Sequence, residues 1–343
     1  MRERILVRAP NWVGDLVMAL PAIEGIRASY PNAEITVMVK PPLEELLLGN
    51  PAVDHIFSFD KKKDYDGPSG IARLIKEIRV KKFTRAILLQ NAFEAAIIAF
   101  LAMVPEREGY ATDGRGMMLT RGVRVSRETK KKHQIHYYLD LLEKLGLKSA
   151  GEKPRLYLLD SDRQYADGLL DESGYAGGPI IGINPGAQYG AAKKWHPERF
   201  GAVADKLAQE YGATVLIFGG PGDVGSAAAV QASMKSKAVN LAGRTGLRGL
   251  MSLIARCSLF ITNDTGPMHI ASALDVPTLA VFGSTNAAAT GPYSSSKRVV
   301  KEPVNCSPCL KRTCPLKHYR CMEKVSVPMV LEAARSMLEG RDG

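Results

Sequence analysis

The sequence predicts an α/β protein built from two doubly wound parallel-sheet halves, and three observations carry that reading. Short apolar runs of strand length alternate with longer helical patterns through most of the chain. Loops rich in Gly, Pro and Asx residues follow several of those runs, as they do at the carboxyl edge of parallel sheets. The alternation begins afresh near residue 178, and 343 residues suffice for two domains with separate cores.

Composition limits the class of protein. Hydrophobic residues make up 45% of the chain and aromatic residues 7%, as in an ordinary soluble globular protein. No apolar run approaches the roughly 20 residues that span a bilayer. Met1-Arg2-Glu3-Arg4 passes straight into Ile5-Leu6-Val7 without a signal-peptide pattern, so a cytoplasmic protein is expected. The formal net charge is +11, from 46 Lys and Arg against 35 Asp and Glu. That excess favours polyanionic partners: nucleic acid, an acidic membrane surface or phosphorylated substrates.

In chain order, Ile5-Leu6-Val7-Arg8 is the first strand, followed by Ala9-Pro10-Asn11-Trp12-Val13-Gly14-Asp15 and an apolar helix through Ala28. This opens a Rossmann-like unit, without the G-x-G-x-x-G that a dinucleotide would require there. Asp15 is a helix cap or a carboxylate pointing from the sheet's edge. Ile35-Thr36-Val37-Met38-Val39, Ile56-Phe57-Ser58-Phe59 and Ala86-Ile87-Leu88-Leu89 read as further strands. Lys61-Lys62-Lys63 and Lys130-Lys131-Lys132 are solvated faces or a docking surface for a phosphorylated, membrane-associated acceptor. Arg115 and Arg121 lie in a loop before the second run. Asp160-Ser161-Asp162 has the Asp-x-Asp form of some metal-dependent transferases, but Ser161 and Gln164 read more simply as a capping box.

The second half runs Ile180-Ile181-Gly182-Ile183, Asn184-Pro185-Gly186-Ala187, then Lys193-Lys194-Trp195-His196-Pro197, with a helix from about Pro197. The loop before that helix offers Gly for close backbone approach and Lys for charge, which suits a phosphate. Thr214-Val215-Leu216-Ile217-Phe218 leads to Asp223, placed to take a ribose hydroxyl or to cap a helix. Ala238-Val239-Asn240-Leu241 and a helix near Leu247–Arg256 precede the densest stretch. There the strand Leu259-Phe260-Ile261-Thr262 meets Asn263-Asp264-Thr265-Gly266-Pro267-Met268-His269, before the strand Leu279-Ala280-Val281-Phe282. Asp264 or Thr265 can cap a short helix whose N-terminus faces a strand's carboxyl edge, a place suited to a phosphate. His269, four residues beyond Thr265, shares a helix face with it.

Four of the five cysteines fall at Cys306, Cys309, Cys314 and Cys321. Their number and spacing suit zinc. Disulfides are disfavoured in a reducing cytoplasm. The cluster is read as structural and reduced, with no bound metal expected. A last amphipathic helix covers roughly Val327–Glu339.

Together Asn11-Trp12-Val13-Gly14-Asp15-Leu16, Leu20-Pro21-Ala22, Asn184-Pro185-Gly186, Lys194-Trp195-His196-Pro197 and Asn263-Asp264-Thr265-Gly266-Pro267-Met268-His269 resemble the bacterial ADP-heptose:lipopolysaccharide heptosyltransferases, glycosyltransferase family 9, over nearly the whole chain. Asn11–Asp15 and the cysteine segment look most like the enzyme II branch. The resemblance implies a GT-B architecture, two Rossmann-like domains facing across a cleft. Residues 1–160 would hold the acceptor, 161–326 the nucleotide-sugar, and 327–343 a helix packing back on the N-terminal domain. It implies Asp15 as general base, and Lys194, Thr265 and Gly266 on the diphosphate. Asp223 would meet the ribose, while Asp264 and His269 would line the donor end of the cleft. Lys61, Lys62, Lys63, Arg115 and Arg121 would meet the acceptor. The implied partners are ADP-heptose and a phosphorylated Kdo-lipid A carrying one heptose, met at the anionic inner face of the cytoplasmic membrane, with no cofactor, no metal and no nucleic acid.

Rival readings are heptosyltransferase I or III and a non-catalytic basic module for nucleic acid or membrane, which leaves the paired α/β halves unused. A nicotinamide-dependent oxidoreductase would need a dinucleotide fingerprint, and none is read along the chain.

Overall fold

The computed structural model describes residues 2–340, and the chain divides into two units, Met1–Tyr157 and Leu158–Gly343. The first unit contains β1 (Arg4–Arg8), α1 (Val13–Ser29), β2 (Glu34–Val39), β3 (His55–Ser58), α2 (Gly67–Val80), β4 (Arg85–Leu88), α3 (Phe93–Leu101), β5 (Glu106–Tyr110), β6 (Arg121–Val123) and α4 (Gln134–Lys144). Its six strands are parallel in the order β3-β2-β1-β4-β5-β6. Leu6 lies between Thr36 and Ala86 in register. Ile5, Val7, Ile35 and Ile87 are wholly buried, which is why these strands read as unbroken apolar runs.

The second unit contains α5 (Asp160–Glu172), β7 (Ile180–Asn184), α6 (Pro197–Tyr211), β8 (Thr214–Ile217), α7 (Val224–Ala232), β9 (Ala238–Asn240), α8 (Leu247–Ile254), β10 (Leu259–Asn263), α9 (Gly266–Ala273), β11 (Thr278–Val281), α10 (Ala287–Thr290), β12 (Lys297–Val300), α11 (Arg320–Glu323) and α12 (Val327–Glu339). Its strand order, β12-β11-β10-β7-β8-β9, repeats that of the first unit. Read from the first strand outward, both sheets follow the doubly wound Rossmann order, and the chain changes direction between β1 and β4 and between β7 and β10. Such switch points open crevices at the carboxyl ends of strands, where ligands of this fold class sit.

Strands β5, β6 and β12 are absent from the sequence-based expectation because charge masks them. Glu108, in β5, is 1% exposed and is held by Arg85 at 2.5 Å. Lys297 and Arg298 open the edge strand β12. The boundary lies at Tyr157–Leu158 rather than after residue 160. The helix there is not capped by a Ser161–Gln164 box. Leu159 occupies the cap, and Asp162 reaches back to accept from the Leu159 amide at 2.7 Å. Asp162 also pairs with Arg248 of α8, so the Asp-x-Asp segment is structural.

The C-terminal helix departs from expectation too. Val330, Leu331, Ala333, Ala334 and Leu338 of α12 join the core of the second unit with Phe200, Val203, Ala204 and Leu207 of α6. Arg335 pairs with Glu210 of α6 at 2.5 Å. An apolar stripe of this length is buried on the nearest uncovered helix, so α12 belongs to the second unit and not to the first. Residues 341–343 of the expected segment lie outside the described residues.

Packing is close beneath the second switch point. Trp195 is fully buried, donates from Nε1 to the Val325 carbonyl at 2.9 Å and meets the Phe200 ring edge-on at 4.9 Å. A Cβ on Gly182 of β7 would stand 2.6 Å from Phe260 Cδ2 and 2.8 Å from Cys257 Sγ. Gly182→Ala is therefore expected to destabilise the protein by about 1–3 kcal/mol through overpacking. An unchanged thermal midpoint would show that the core yields there.

Candidate active site

In the first unit the residues after β1, β2, β3 and β4 surround a cavity of 190 Å³ that includes Arg8, Asn11, Lys40, Lys61, Lys62 and Glu94. Arg8 is the built part of this cavity. It is 5% exposed, bonded to the Ala9 carbonyl at 2.9 Å and to Asn11 Oδ1 at 3.1 Å, and stands over the Phe59 ring. Burial pushes its guanidinium down to about 10 against the pull of Glu94, leaving it charged at neutral pH. Lys61 pairs with Glu94 at 3.1 Å, while Lys63 is exposed and is not among the residues that line the cavity. With Lys40 and Lys62 the cavity presents several cations to whatever enters, which suits an anionic, hydroxylated ligand. Arg8 and Lys40 went unread in the sequence because each is an isolated cation beside an apolar strand.

Two basic residues expected in this group are elsewhere. Arg115 is fully buried and donates to the carbonyls of Tyr110 and Gln90 and to Asn91 Oδ1. Its donors hold the loops after β4 and β5 together, so it is not a docking residue. Arg121 opens β6 and faces Glu108, at 3.7 Å, with Arg85 and Glu3 close by. That cluster lies toward the N-terminal ends of the strands, away from the cavity.

Asp15 is not the helix cap. The α1 helix begins at Val13 with Trp12 in the cap position, which places Asp15 in the first turn, part-buried. A carboxylate there gains from the helix N-terminus. Its charge also reaches Tyr138 of α4, whose hydroxyl is raised above its ordinary value by burial first and by Asp15 second.

In the second unit the expected donor residues converge at the β7–β10 switch point. Asn263, at the end of β10, accepts from the Trp195 amide at 3.0 Å and donates to the Pro185 carbonyl at 2.8 Å. Beside it Asp264, 4% exposed, pairs with Lys193 at 2.6 Å and accepts from Thr285 Oγ1 at 2.6 Å. Lys194 pairs with Asp223 at 3.3 Å. In the sequence Lys193 stands in a loop that offers lysine for charge, but the phosphate is assigned only to Lys194 and Thr285 is not named; here both Lys193 and Thr285 meet Asp264. Gly186 is required for the approach, since a Cβ there would stand 2.4 Å from Asp223 Oδ2. Thr265 takes the cap position of α9 in an extended conformation without a side-chain capping bond. Gly266 begins that helix, and His269 is buried within it.

One spacing was missed in the sequence. Gly220-Pro221-Gly222-Asp223-Val224-Gly225 matches G-x-G-x-x-G. It follows β8, the second strand of its sheet, and forms the short 3-10 turn that carries Asp223. A dinucleotide fingerprint belongs to the first strand–helix turn, so this match does not revive an oxidoreductase. The Lys194-Trp195-His196 segment is largely scaffold beyond its lysine: Trp195 fills the core and His196 meets Glu323 at 2.8 Å.

Two Rossmann-ordered units, one with a basic cavity and one with lysine–carboxylate pairs beside a helix N-terminus, are the parts of a GT-B glycosyltransferase. Residues 71–320 match the profile of Glycosyltransferase family 9 (heptosyltransferase). The chain is 30% identical to Lipopolysaccharide heptosyltransferase 2 of Salmonella typhimurium, across 98% of each chain. The solved E. coli ADP-heptose lps heptosyltransferase II is 25% identical and superimposes over 100% of both chains with a TM-score of 0.83. A family 9 glycosyltransferase from Veillonella parvula is 27% identical over 98% of both chains, with a TM-score of 0.89. The chain belongs to glycosyltransferase family 9 and is a transferase enzyme.

The two lysine pairs differ in burial, and stability should separate them. The side chains of Lys193 and Asp264 are 14% and 4% exposed, against 33% and 12% for Lys194 and Asp223. Lys193→Met leaves a buried carboxylate without its cation and is expected to cost about 3–5 kcal/mol. Lys194→Met should cost about 1 kcal/mol or less. Denaturant melts giving equal losses would remove this distinction.

Proposed function

We propose that the chain is an inverting heptosyltransferase of the second-heptose type. It moves L-glycero-D-manno-heptose from ADP-heptose to the first heptose of a phosphorylated Kdo-lipid A acceptor. The observation that carries this reading is the convergence of Lys193–Asp264 and Lys194–Asp223 with the start of α9 at one switch point. A nucleoside diphosphate sugar needs cations and free amides for its phosphates and a carboxylate for a ribose hydroxyl, and that set offers all of them. The full-length likeness to proteins named heptosyltransferase 2 supports heptose as the sugar.

In this reading the first unit (taken as 1–160 from sequence) holds the acceptor. Asp15 accepts the proton of the attacking hydroxyl, whose oxygen bonds to the anomeric carbon as the bond to ADP breaks. The transition state is oxocarbenium-like, as in the hydrolysis of related bonds. Charge growing on the departing diphosphate is met by Lys194, with Thr265 and Gly266 at the helix N-terminus. Lys193 adds to it by exchanging part of its interaction with Asp264. Asp223 takes a ribose hydroxyl, and Asp264 and His269 shape the donor site. Arg8, Lys40, Lys61, Lys62 and Lys63 receive the acceptor's anionic groups. No metal or cofactor is called for in these steps. None of the described helices is long and apolar enough to cross a membrane. We place the enzyme in the cytoplasm, held peripherally at the anionic inner membrane face by its net charge of +11.

ADP release with ADP-heptose and defined acceptors tests the assignment. Kdo-lipid A carrying one heptose should be the preferred acceptor. Preference for an acceptor without heptose would make the enzyme a heptosyltransferase I. Neutralising Lys40 and Lys62 together should raise the acceptor KM and flatten its salt dependence, with the donor KM nearly unchanged.

Asp15→Asn should keep the fold, since it removes a helix-terminus interaction of only about 0.3–1 kcal/mol. Turnover should fall by about 10²- to 10⁴-fold, with ADP-heptose still bound. A variant that turns over near the wild-type rate would place the base elsewhere.

A further inference from the structure

The cysteine segment is the one sequence motif that the transferase reading leaves unused. All of its thiols are free. Cys306, Cys309, Cys314 and Cys321 nonetheless border a single cavity of 20 Å³ in the second unit, about the room taken by one water or one small ion. Simple core packing does not explain this, because Cys306 is exposed and Cys309 and Cys314 are only part-buried.

Three further observations point to a ligand. Ser284 lines the same cavity, is 1% exposed, and its Oγ has no hydrogen-bond partner. Leu310, Lys317 and Tyr319 hold left-handed φ angles of 57°, 56° and 44° in side-chain-bearing residues, all between or just after the cysteines. Strain of that kind persists where surroundings over-determine it, commonly at ligand clamps. Finally, the backbone amides of Tyr319, Leu316, His318 and Lys317 are turned toward the Cys314 sulfur.

We propose that Cys306, Cys309, Cys314 and Cys321 together hold one tetrahedral Zn²⁺ ion. Four soft sulfur donors without an open position match a closed structural zinc site, not a catalytic one. As the side chains lie, no three such groups among the described residues form a ligand array. The ion draws the sulfurs inward across their shared cavity, to Zn–S distances of about 2.3 Å. Binding releases the protons of the thiols, so affinity rises with pH. This replaces the expectation of a metal-free cluster.

The ion's place in the fold gives it a consequence. The Arg312 carbonyl accepts from the Ala192 amide at 3.0 Å, and the Leu310 carbonyl accepts from Tyr189 Oη at 3.1 Å. Ser307 Oγ donates to the Gly283 carbonyl at 2.5 Å, and the Leu310 amide donates to the Ser284 carbonyl at 2.8 Å. The cysteine segment thus pins the loops that continue into Lys193 and Lys194 on one side and Thr285 on the other. Zinc clamps the donor-site lysines; this consequence alone rests on the transferase reading.

The test uses the full chain purified under reducing conditions without chelator. Elemental analysis should find one zinc per chain. Exchange with Co²⁺ should give the visible spectrum of a tetrahedral tetrathiolate, and a thiol-specific mercurial should release the zinc as four thiols react. Ser284→Ala, a small change beside the ligands, should weaken zinc affinity by about 10-fold or more. Stripping zinc should weaken ADP binding measured by calorimetry, a readout separate from the metal content. Less than a tenth of an equivalent of zinc, both as purified and after incubation with Zn²⁺, would overturn the proposal. So would iron in zinc's place, or disulfides among the four cysteines. A zinc-loaded protein whose ADP binding is indifferent to zinc removal would keep the site and overturn the clamp.

Discussion

The second unit depends on how the buried amide of Asn263 is satisfied. This side chain is fully buried at the end of β10, where an unpaired amide would cost roughly 1–3 kcal/mol. It crosses the switch point to the Trp195 amide and the Pro185 carbonyl, so one residue fixes the loops after β7 and β10 together. Trp195, held below by Phe200 and the Val325 carbonyl, anchors the short turn that carries Lys193 and Lys194. Both lysines then meet carboxylates from neighbouring strand ends. A lysine has several rotatable bonds and finds a defined place only when its backbone and its partner are both held. Asn263 supplies the first condition, and Asp264 and Asp223 the second.

The first unit uses the same strand order for a different purpose. Among the described residues its crevice has one lysine–carboxylate pair, Lys61–Glu94, and both of those side chains are partly exposed. A buried arginine is instead fixed by a carbonyl, an amide and an aromatic ring, with lysines toward solvent. Such a cavity offers net positive charge with loose geometry, which suits a large phosphorylated ligand better than a small nucleotide. The two crevices thus differ in kind, one pre-organised by buried pairs and one mainly electrostatic. Arg115 illustrates how strongly context decides a residue's part. It lies within a basic stretch of sequence, yet its donors are taken by two carbonyls and an asparagine in the interior.

The cysteine segment and α12 extend the second unit beyond its sheet. Between β12 and α11 the chain has little regular structure, and its apolar side chains alone would not hold it. Hydrogen bonds to the loops at 189–192 and 283–284 fasten it. Beyond it α12 covers α6. The tail of the chain is thereby part of the second unit rather than an appendage, and its order and the order of the lysine turn depend on each other.

Most of the α/β alternation was legible in the sequence, because strands buried on both faces need continuous apolar runs and their loops need Gly, Pro and Asx residues. Asp15, Lys194, Asp223, Asp264 and Thr265 stood out for the same local reason: each follows a readable strand. What could not be read was anything set by partners distant in sequence. β5 hides Glu108 because its counter-ion, Arg85, lies on another strand. Lys193 gains its meaning from Asp264, Arg115 loses its apparent one to Gln90 and Asn91, and Arg8 and Lys40 meet only when β1 and β2 pair. Spacing along the chain determined which elements form; the satisfaction of buried charge and hydrogen bonds, which only the tertiary structure supplies, decided which side chains face a ligand.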